Sequence, residues 1–287
     1  MKISPLSKII LDGREFLVKR DDLIDPYLAG NKYRKLYTLL QTPKENYTTI
    51  ISYGGTQSNA MLAIAAMSQQ KGWNFIYYTK ELSLKQKEQK GGNYSEALKL
   101  GMQHIEIKNE LYRDFIASLS ITLDEKTFLI DQGGAIKDAK IGLEVLAEEL
   151  RLQLKEFPSI KALATPSGTG TTALFLALAL PEYTIYTTPC IGDSSYLKEQ
   201  MQALHTLPLN LSILEPKRKY HFAKPYEEFY TIYKKLLHAG IEFGLLYSPS
   251  MWMSLLEQTD ENVLYLHSGG VSGNLSMLKR YKKFDKE

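Results

Sequence analysis

Short apolar stretches alternate along this chain with helical ones, and the apolar stretches repeatedly run into glycine-rich turns. A strand, a turn, a helix and another strand make the unit of a parallel sheet, because a parallel neighbour is reached only through a long crossover. Thr48–Ser52 reads as a strand that leads through Gly54–Gly55 into an alanine-rich helix over Asn59–Gln70. Asn74–Thr79 and His104–Ile107 read as strands with a helical stretch, Ser95–Leu100, between them, and Thr127–Ile130 runs into the turn Gly133–Gly134. An amphipathic helix is expected from Asp138 to Leu154, its apolar residues being Ile141, Val145, Leu146 and Leu150. Ala162–Thr165 is expected to be a strand; the helix after it, Thr171–Leu180, is apolar on nearly every side and should be buried. Strands near Tyr183–Thr188, Leu209–Leu214, Phe243–Tyr247 and Val263–His267, with helices near Ser195–His205 and Glu227–Ala239, complete an α/β protein with mostly parallel sheets.

Composition narrows the function classes. The 35 basic and 32 acidic residues leave a net charge of +3, too balanced for a nucleic-acid surface. The basic runs Lys217–Arg218–Lys219 and Lys279–Arg280 with Lys282–Lys283 read as solvated faces. No apolar run approaches the ~20 residues that cross a bilayer, and residues 1–17 alternate apolar with polar side chains, unlike a leader. No membrane and no nucleic acid are expected as partners, and the cytoplasm is the expected address. The lone Cys190 excludes an internal disulfide, and the histidines are too scattered for a metal constellation.

In open α/β sheets ligands bind beyond the carboxyl ends of the strands. That singles out the loops Gly54–Asn59, Ser167–Thr172 and His267–Gly270. In Ser167–Gly168–Thr169–Gly170–Thr171–Thr172, glycines let backbone N–H groups approach an anion, the hydroxyls add donors, and the helix dipole favours negative charge. The same pattern also suits a tight turn with hydroxyl caps. Gly54–Gly55–Thr56–Gln57–Ser58–Asn59 is a second loop of this kind, with neutral donors that suit a carboxylate, or a turn capped by Ser58 or Asn59.

Lys19–Arg20–Asp21–Asp22–Leu23, then Gly30–Asn31–Lys32–Tyr33–Arg34–Lys35–Leu36, then the two loops above, then Tyr247–Ser248 and His267–Ser268–Gly269–Gly270, occur in that order over most of the chain. Together they resemble the family of 1-aminocyclopropane-1-carboxylate deaminase and D-cysteine desulfhydrase. The resemblance implies a pyridoxal 5'-phosphate enzyme of the tryptophan-synthase-β-like fold, PLP fold type II. Matched position by position, it makes Lys32 the Schiff-base lysine and places Lys35, one turn on, toward the phosphate. It gives the phosphate to Ser167, Gly168, Thr169, Gly170 and Thr171, the cofactor's ring oxygen to Asn59, the substrate carboxylate to Ser58, and the pyridine nitrogen to Ser248. Tyr247 matches a tyrosine near the substrate; its companion in the deaminase matches either Tyr220 or Tyr226.

The same resemblance implies a homodimer acting on a small amino acid and releasing an oxo acid and ammonia. The deaminase has glutamate after the tyrosine matched by Tyr247, whereas this chain has a neutral serine. A weaker electron sink follows, which suits β-elimination from D-cysteine or a related D-amino acid. Ring-opening deamination, racemisation or β-replacement, and a PLP-binding relative without turnover are the alternatives. The chain departs from the family at Pro249–Ser250, where Gly-Lys usually stands, and between Thr79 and Gly91, which is trimmed and lysine-rich. The expected division is a large domain of residues 1–44 and 134–287 and a small inserted α/β domain of 45–133.

Overall fold

The computed structural model describes residues 2–28, 30–88, 91–121, 123–134 and 138–284. Its strands are β1 (Leu6–Leu11), β2 (Arg14–Lys19), β3 (Thr49–Tyr53), β4 (Asn74–Lys80), β5 (Met102–Ile107), β6 (Thr127–Ile130), β7 (Ala162–Ser167), β8 (Thr184–Pro189), β9 (Leu211–Ile213) and β10 (Val263–Leu266). The helices are α1 (Asn31–Lys35), α2 (Tyr37–Gln41), α3 (Asn59–Lys71), α4 (Leu84–Lys87), α5 (Asn93–Lys99), α6 (Tyr112–Ser118), α7 (Ala139–Gln153), α8 (Thr171–Ala179), α9 (Ser194–Gln202), α10 (Glu227–His238), α11 (Ser248–Gln258) and α12 (Asn274–Tyr281). A six-stranded sheet runs β1-β2-β10-β7-β8-β9 and a four-stranded sheet runs β5-β4-β3-β6. Both are parallel except for the β1–β2 hairpin.

That hairpin is absent from the expected strands although its signal is present. Asp12 and Gly13 take positive φ, 48° and 81°, the backbone that matches the twist of two antiparallel strands.

Every residue of β7 is buried, as expected of a parallel strand covered on both faces. Its side chains alternate: Leu163 packs with Leu143, Leu146 and Leu150 of α7, whereas Ala162 and Ala164 pack with Leu236 of α10 and Met251, Trp252 and Leu255 of α11. Trp252 stacks on Tyr265 of β10 with centroids 4.2 Å apart. Truncating a fully buried leucine such as Leu146 to alanine should cost about 2–5 kcal/mol. The helix α7 buries a different stripe from the one expected. Leu146 and Leu150 are inside with Leu143 and Ala147, whereas Ile141 is exposed.

The apolar run Phe243–Tyr247 is not a strand. Both edges of β10 are already taken, by β2 and by β7, so the run has no ladder beside it to join. Asn274 satisfies its backbone instead: Oδ1 accepts from Leu245 N–H at 2.8 Å and Nδ2 donates to Phe243 C=O at 3.0 Å. Helix α11, also unexpected, follows directly, with Pro249 in its first turn where no N–H is needed. The trimmed segment after Thr79 contains α4, closed by a Ser83–Gln86 capping box; its residues 89 and 90 lie outside the described ones.

Candidate active site

The carboxyl ends of β3, β7 and β10 open onto one cavity of about 260 Å³, where the three loops singled out above meet. Its lining includes Lys32, Lys35, Ser58, Asn59, Ser167, Gly168, Thr169, Gly170, Thr171 and Tyr247. Small-molecule sites commonly begin near ~300 Å³, so the cavity suits a compact ligand.

The lysine-bearing helix α1 is too short to hold itself by backbone hydrogen bonding. It is anchored through Arg34, whose Nε and Nη2 grip Asp21 at 3.0 and 2.7 Å while Nη1 donates to Glu149 of α7 at 2.7 Å. Lys19 donates to the same Glu149 and, at 2.7 Å, to Gln153. Two cations thus face two carboxylates, with Lys19, Asp21 and Arg34 fully buried. Burial alone would raise the Glu149 carboxyl, but the hydrogen bonds from Arg34 and Lys19 hold it below its ordinary range. The Lys-Arg-Asp-Asp motif is therefore the foundation of α1. Gly142 lets α7 approach: a Cβ there would stand 1.9 Å from the Arg34 carbonyl oxygen.

With α1 fixed, Lys32 and Lys35 project into the cavity. Lys32 Nζ donates to Asn31 Oδ1 at 3.2 Å and Lys35 Nζ to the Gly133 carbonyl at 3.3 Å. Among the described residues no carboxylate lies within ion-pair distance of either. Burial pushes the Lys32 amine down to about 8. Burial, and then the Lys32 charge, push Lys35 well below the ordinary lysine value. Across the cavity, α8 begins at Gly170 without a side-chain cap, so its first-turn N–H groups have no intrahelical acceptor. Thr169 and Thr171 hydroxyls lie 3.1 Å apart on the same lip. Two lysines with no carboxylate within ion-pair distance among the described residues, facing an uncapped helix start, form a donor set suited to an anion.

Ser58 is the N-cap of α3: its Oγ accepts from Met61 N–H at 3.2 Å, and its hydroxyl lies beside the Tyr77 phenol. Tyr247 lies against Gly168, and burial raises its pKa, so the phenol stays protonated at neutral pH. Ser248, expected at the pyridine nitrogen, is buried at the start of α11 and is not among the residues that line the cavity. His267 is buried and neutral: Nε2 donates to the Glu242 carbonyl at 2.8 Å and Nδ1 accepts from Gly269 N–H at 3.1 Å. Burial pushes the Cys190 thiol up to about 12, the state of an inert side chain.

Neither Tyr220 nor Tyr226 lines the cavity; they pack edge to face against each other, centroids 5.0 Å apart. Phe222, between them in sequence, enters instead and packs on Tyr247 at 5.3 Å. It is followed by Ala223 at φ 58°, a backbone that non-glycine residues rarely adopt. Sequence reasoning missed Phe222 because no periodic element surrounds it. It also missed Gln132, beside the turn Gly133–Gly134, whereas Gln57 belongs to the loop Gly54–Asn59 singled out from the sequence.

No family model matches the chain. It is 26% identical over 294 residues to a putative 1-aminocyclopropane-1-carboxylate deaminase of Thermotoga maritima, covering 93% of this chain and 92% of the relative. It is 24% identical to the mitochondrial bifunctional D-cysteine desulfhydrase/1-aminocyclopropane-1-carboxylate deaminase of Arabidopsis thaliana, covering 91% and 74%. A solved 1-aminocyclopropane-1-carboxylate deaminase homologue superposes with a TM-score of 0.78 at 20% identity, over 97% of this chain and 94% of that one. A pyridoxal 5'-phosphate-dependent aspartate racemase superposes with a TM-score of 0.64 at 10% identity, over 94% and 90%. The chain is a homologue of proteins carrying the deaminase and desulfhydrase names, and its fold is that of PLP fold type II enzymes.

Proposed function

We propose that this chain is a pyridoxal-phosphate-dependent lyase or deaminase that breaks a small D-amino acid, with D-cysteine the first candidate, into an oxo acid and ammonia. The observation that carries the reading is the pair Lys32 and Lys35, without carboxylate partners among the described residues, facing the uncapped start of α8. A phosphate monoester suits that donor set, and the Lys32 amine, neutral in an appreciable fraction near pH 8, would capture an aldehyde. The residues that line the cavity therefore fit pyridoxal phosphate: Lys32 would hold the aldehyde carbon, Ser167 to Thr171 and Lys35 the phosphate, and Asn59 the ring oxygen. When bound, the cofactor supplies an electron sink for charge developing at the substrate's α-carbon.

The remaining steps belong to the chain's own side chains. The freed Lys32 amine, held near 8, takes the α-proton. Ser58 donates its hydroxyl proton to the substrate carboxylate at the start of α3, where the helix dipole adds support. Tyr247, kept protonated, donates to the leaving group. Phe222 and Ile191 exclude water from that side.

Among the described residues that line the cavity there is no Asp, Glu or Arg, and Tyr247 is the single tyrosine. The lack of a lining arginine favours a substrate with an uncharged side chain. The lack of a lining carboxylate favours a neutral partner for the ring nitrogen, and so elimination of a good leaving group over opening of a cyclopropane. We also propose that the two sheets are the cores of the two domains expected, 45–133 forming the smaller one.

The test is the absorption spectrum of protein supplied with pyridoxal phosphate, read before and after D-cysteine. A visible band that changes with release of sulfide and pyruvate supports the reading. Ammonia from 1-aminocyclopropane-1-carboxylate without sulfide from D-cysteine would replace the substrate, and a band indifferent to every small amino acid would leave a carrier rather than an enzyme. Protein that stays colourless would end the cofactor reading.

A further inference from the structure

Asn93 is buried at the start of α5 with every polar atom of its amide engaged. Its Nδ2 donates to the Gln57 carbonyl at 3.1 Å and to Asn59 Oδ1 at 2.7 Å, and its Oδ1 accepts from Ser272 Oγ at 2.8 Å. The Gln57 carbonyl can only accept, so the Asn93 atom facing it must be the amide nitrogen. The Asn59 atom facing that same nitrogen must then be the oxygen. Asn59 Nδ2 is consequently turned the other way, and among the described residues it has no protein acceptor. Gly270 leaves room for it there: a Cβ on that residue would stand 2.3 Å from Asn59 Nδ2.

We infer that Asn93 is a positioning residue that fixes the amide of Asn59 with its N–H₂ group as the donor offered to the ligand. The inference rests on the pyridoxal-phosphate reading, in which Asn59 meets the cofactor's ring oxygen. A free asparagine presents oxygen or nitrogen with similar ease. Here the choice is made at one remove by a backbone carbonyl that cannot change its role. The arrangement also ties together segments of both sheets' connections, since Ser272 lies beyond β10 and Gln57 beyond β3, and Ser276 Oγ donates to Gln57 Oε1 at 2.9 Å.

Asn93→Asp removes the donor and sets a carboxylate against Asn59, which then turns its nitrogen inward and its oxygen toward the ligand. Equilibrium dialysis of the full chain against pyridoxal phosphate, with the position of the visible band, reads the consequence. The expected result is affinity weakened about tenfold or more and a displaced band, both effects vanishing when Asn93→Asp is made in an Asn59→Ala background. Asn93→Ala, which buries no charge, serves if the aspartate variant fails to fold; its loss should be smaller, in the same direction, and again dependent on Asn59. Affinity within about twofold of wild type, or a loss of equal size without Asn59, would overturn the inference. Wild-type protein that takes up no pyridoxal phosphate would instead remove the reading on which it rests.

Discussion

Arg34 and Glu149 lie 115 positions apart in the chain, and Nη1 of the one donates to Oε2 of the other across 2.7 Å inside the protein. Through this contact α7 of the larger sheet's layer holds the five-residue helix that presents Lys32. A buried pair of this kind adds little over apolar packing, yet removing one partner strands the other charge at about 3–5 kcal/mol. Glu149→Ala should therefore lower folding stability by that order in urea titrations. Replacing the wider set, Lys19, Arg34, Asp21 and Glu149 together, with apolar residues should cost much less. A near-neutral Glu149→Ala would show that the network is not the anchor.

The Lys32 amine titrates near 8, brought down by burial. A lowered lysine pKa means that the neutral nucleophile accumulates as pH rises through the folded value. At pH 7 about one amine in ten is neutral, against about one in several thousand for an ordinary lysine. The rate at which pyridoxal phosphate is captured on Lys32, trapped by borohydride and located by peptide mass, should climb from pH 7 through 8 and level off above about pH 9. Lys32→Ala should abolish the labelled peptide. A rate that keeps rising toward pH 10 would contradict the lowered pKa.

Lys35 is buried without a counter-charge among the described residues, and the cost falls on the ligand-free fold. Lys35→Met should raise the ligand-free stability by about 1–2 kcal/mol while weakening pyridoxal phosphate much more than pyridoxal. Parallel denaturation and binding titrations check both signs. Equal losses for the two ligands would take Lys35 away from the phosphate.

Gly142 sits inside α7, where alanine would ordinarily help by about 1 kcal/mol through helix propensity. Its Cβ would meet the Arg34 carbonyl at 1.9 Å, a backbone atom that cannot swing aside. Overpacking of this kind costs about 1–3 kcal/mol and moves backbone, so the clash outweighs propensity. Gly142→Ala should be destabilised, and its capture of pyridoxal phosphate on Lys32 should slow because α1 is displaced. Thermal melts and the same trapping experiment read the two effects, and a stabilised variant with normal capture would refute the close-approach argument.

The sequence by itself determined the local parts of this protein. Apolar period, helix-length stretches and glycines at strand ends made the parallel α/β class and the loops at Gly54–Asn59, Ser167–Thr172 and His267–Gly270 legible, because each is specified within about a dozen neighbouring residues. Lys32 and Lys35 are legible only through the resemblance, which motifs spread from Lys19 to Gly270 carry together. Only the tertiary structure decided what those residues face. The run Phe243–Tyr247 has the composition of a strand, but β10 has no free edge and Asn274 takes the place of a ladder. Phe222 reaches the cavity, and Tyr220 and Tyr226 do not, through an irregular segment that carries no period. Arg34 and Lys19 stand in motifs whose structural task appears only when Asp21 and Glu149 enclose them, and Asn93 lies outside every expected element until it meets Asn59. A buried charge or amide is tolerable only when its partners arrive from elsewhere in the chain, and sequence neighbours carry no record of which partners those are.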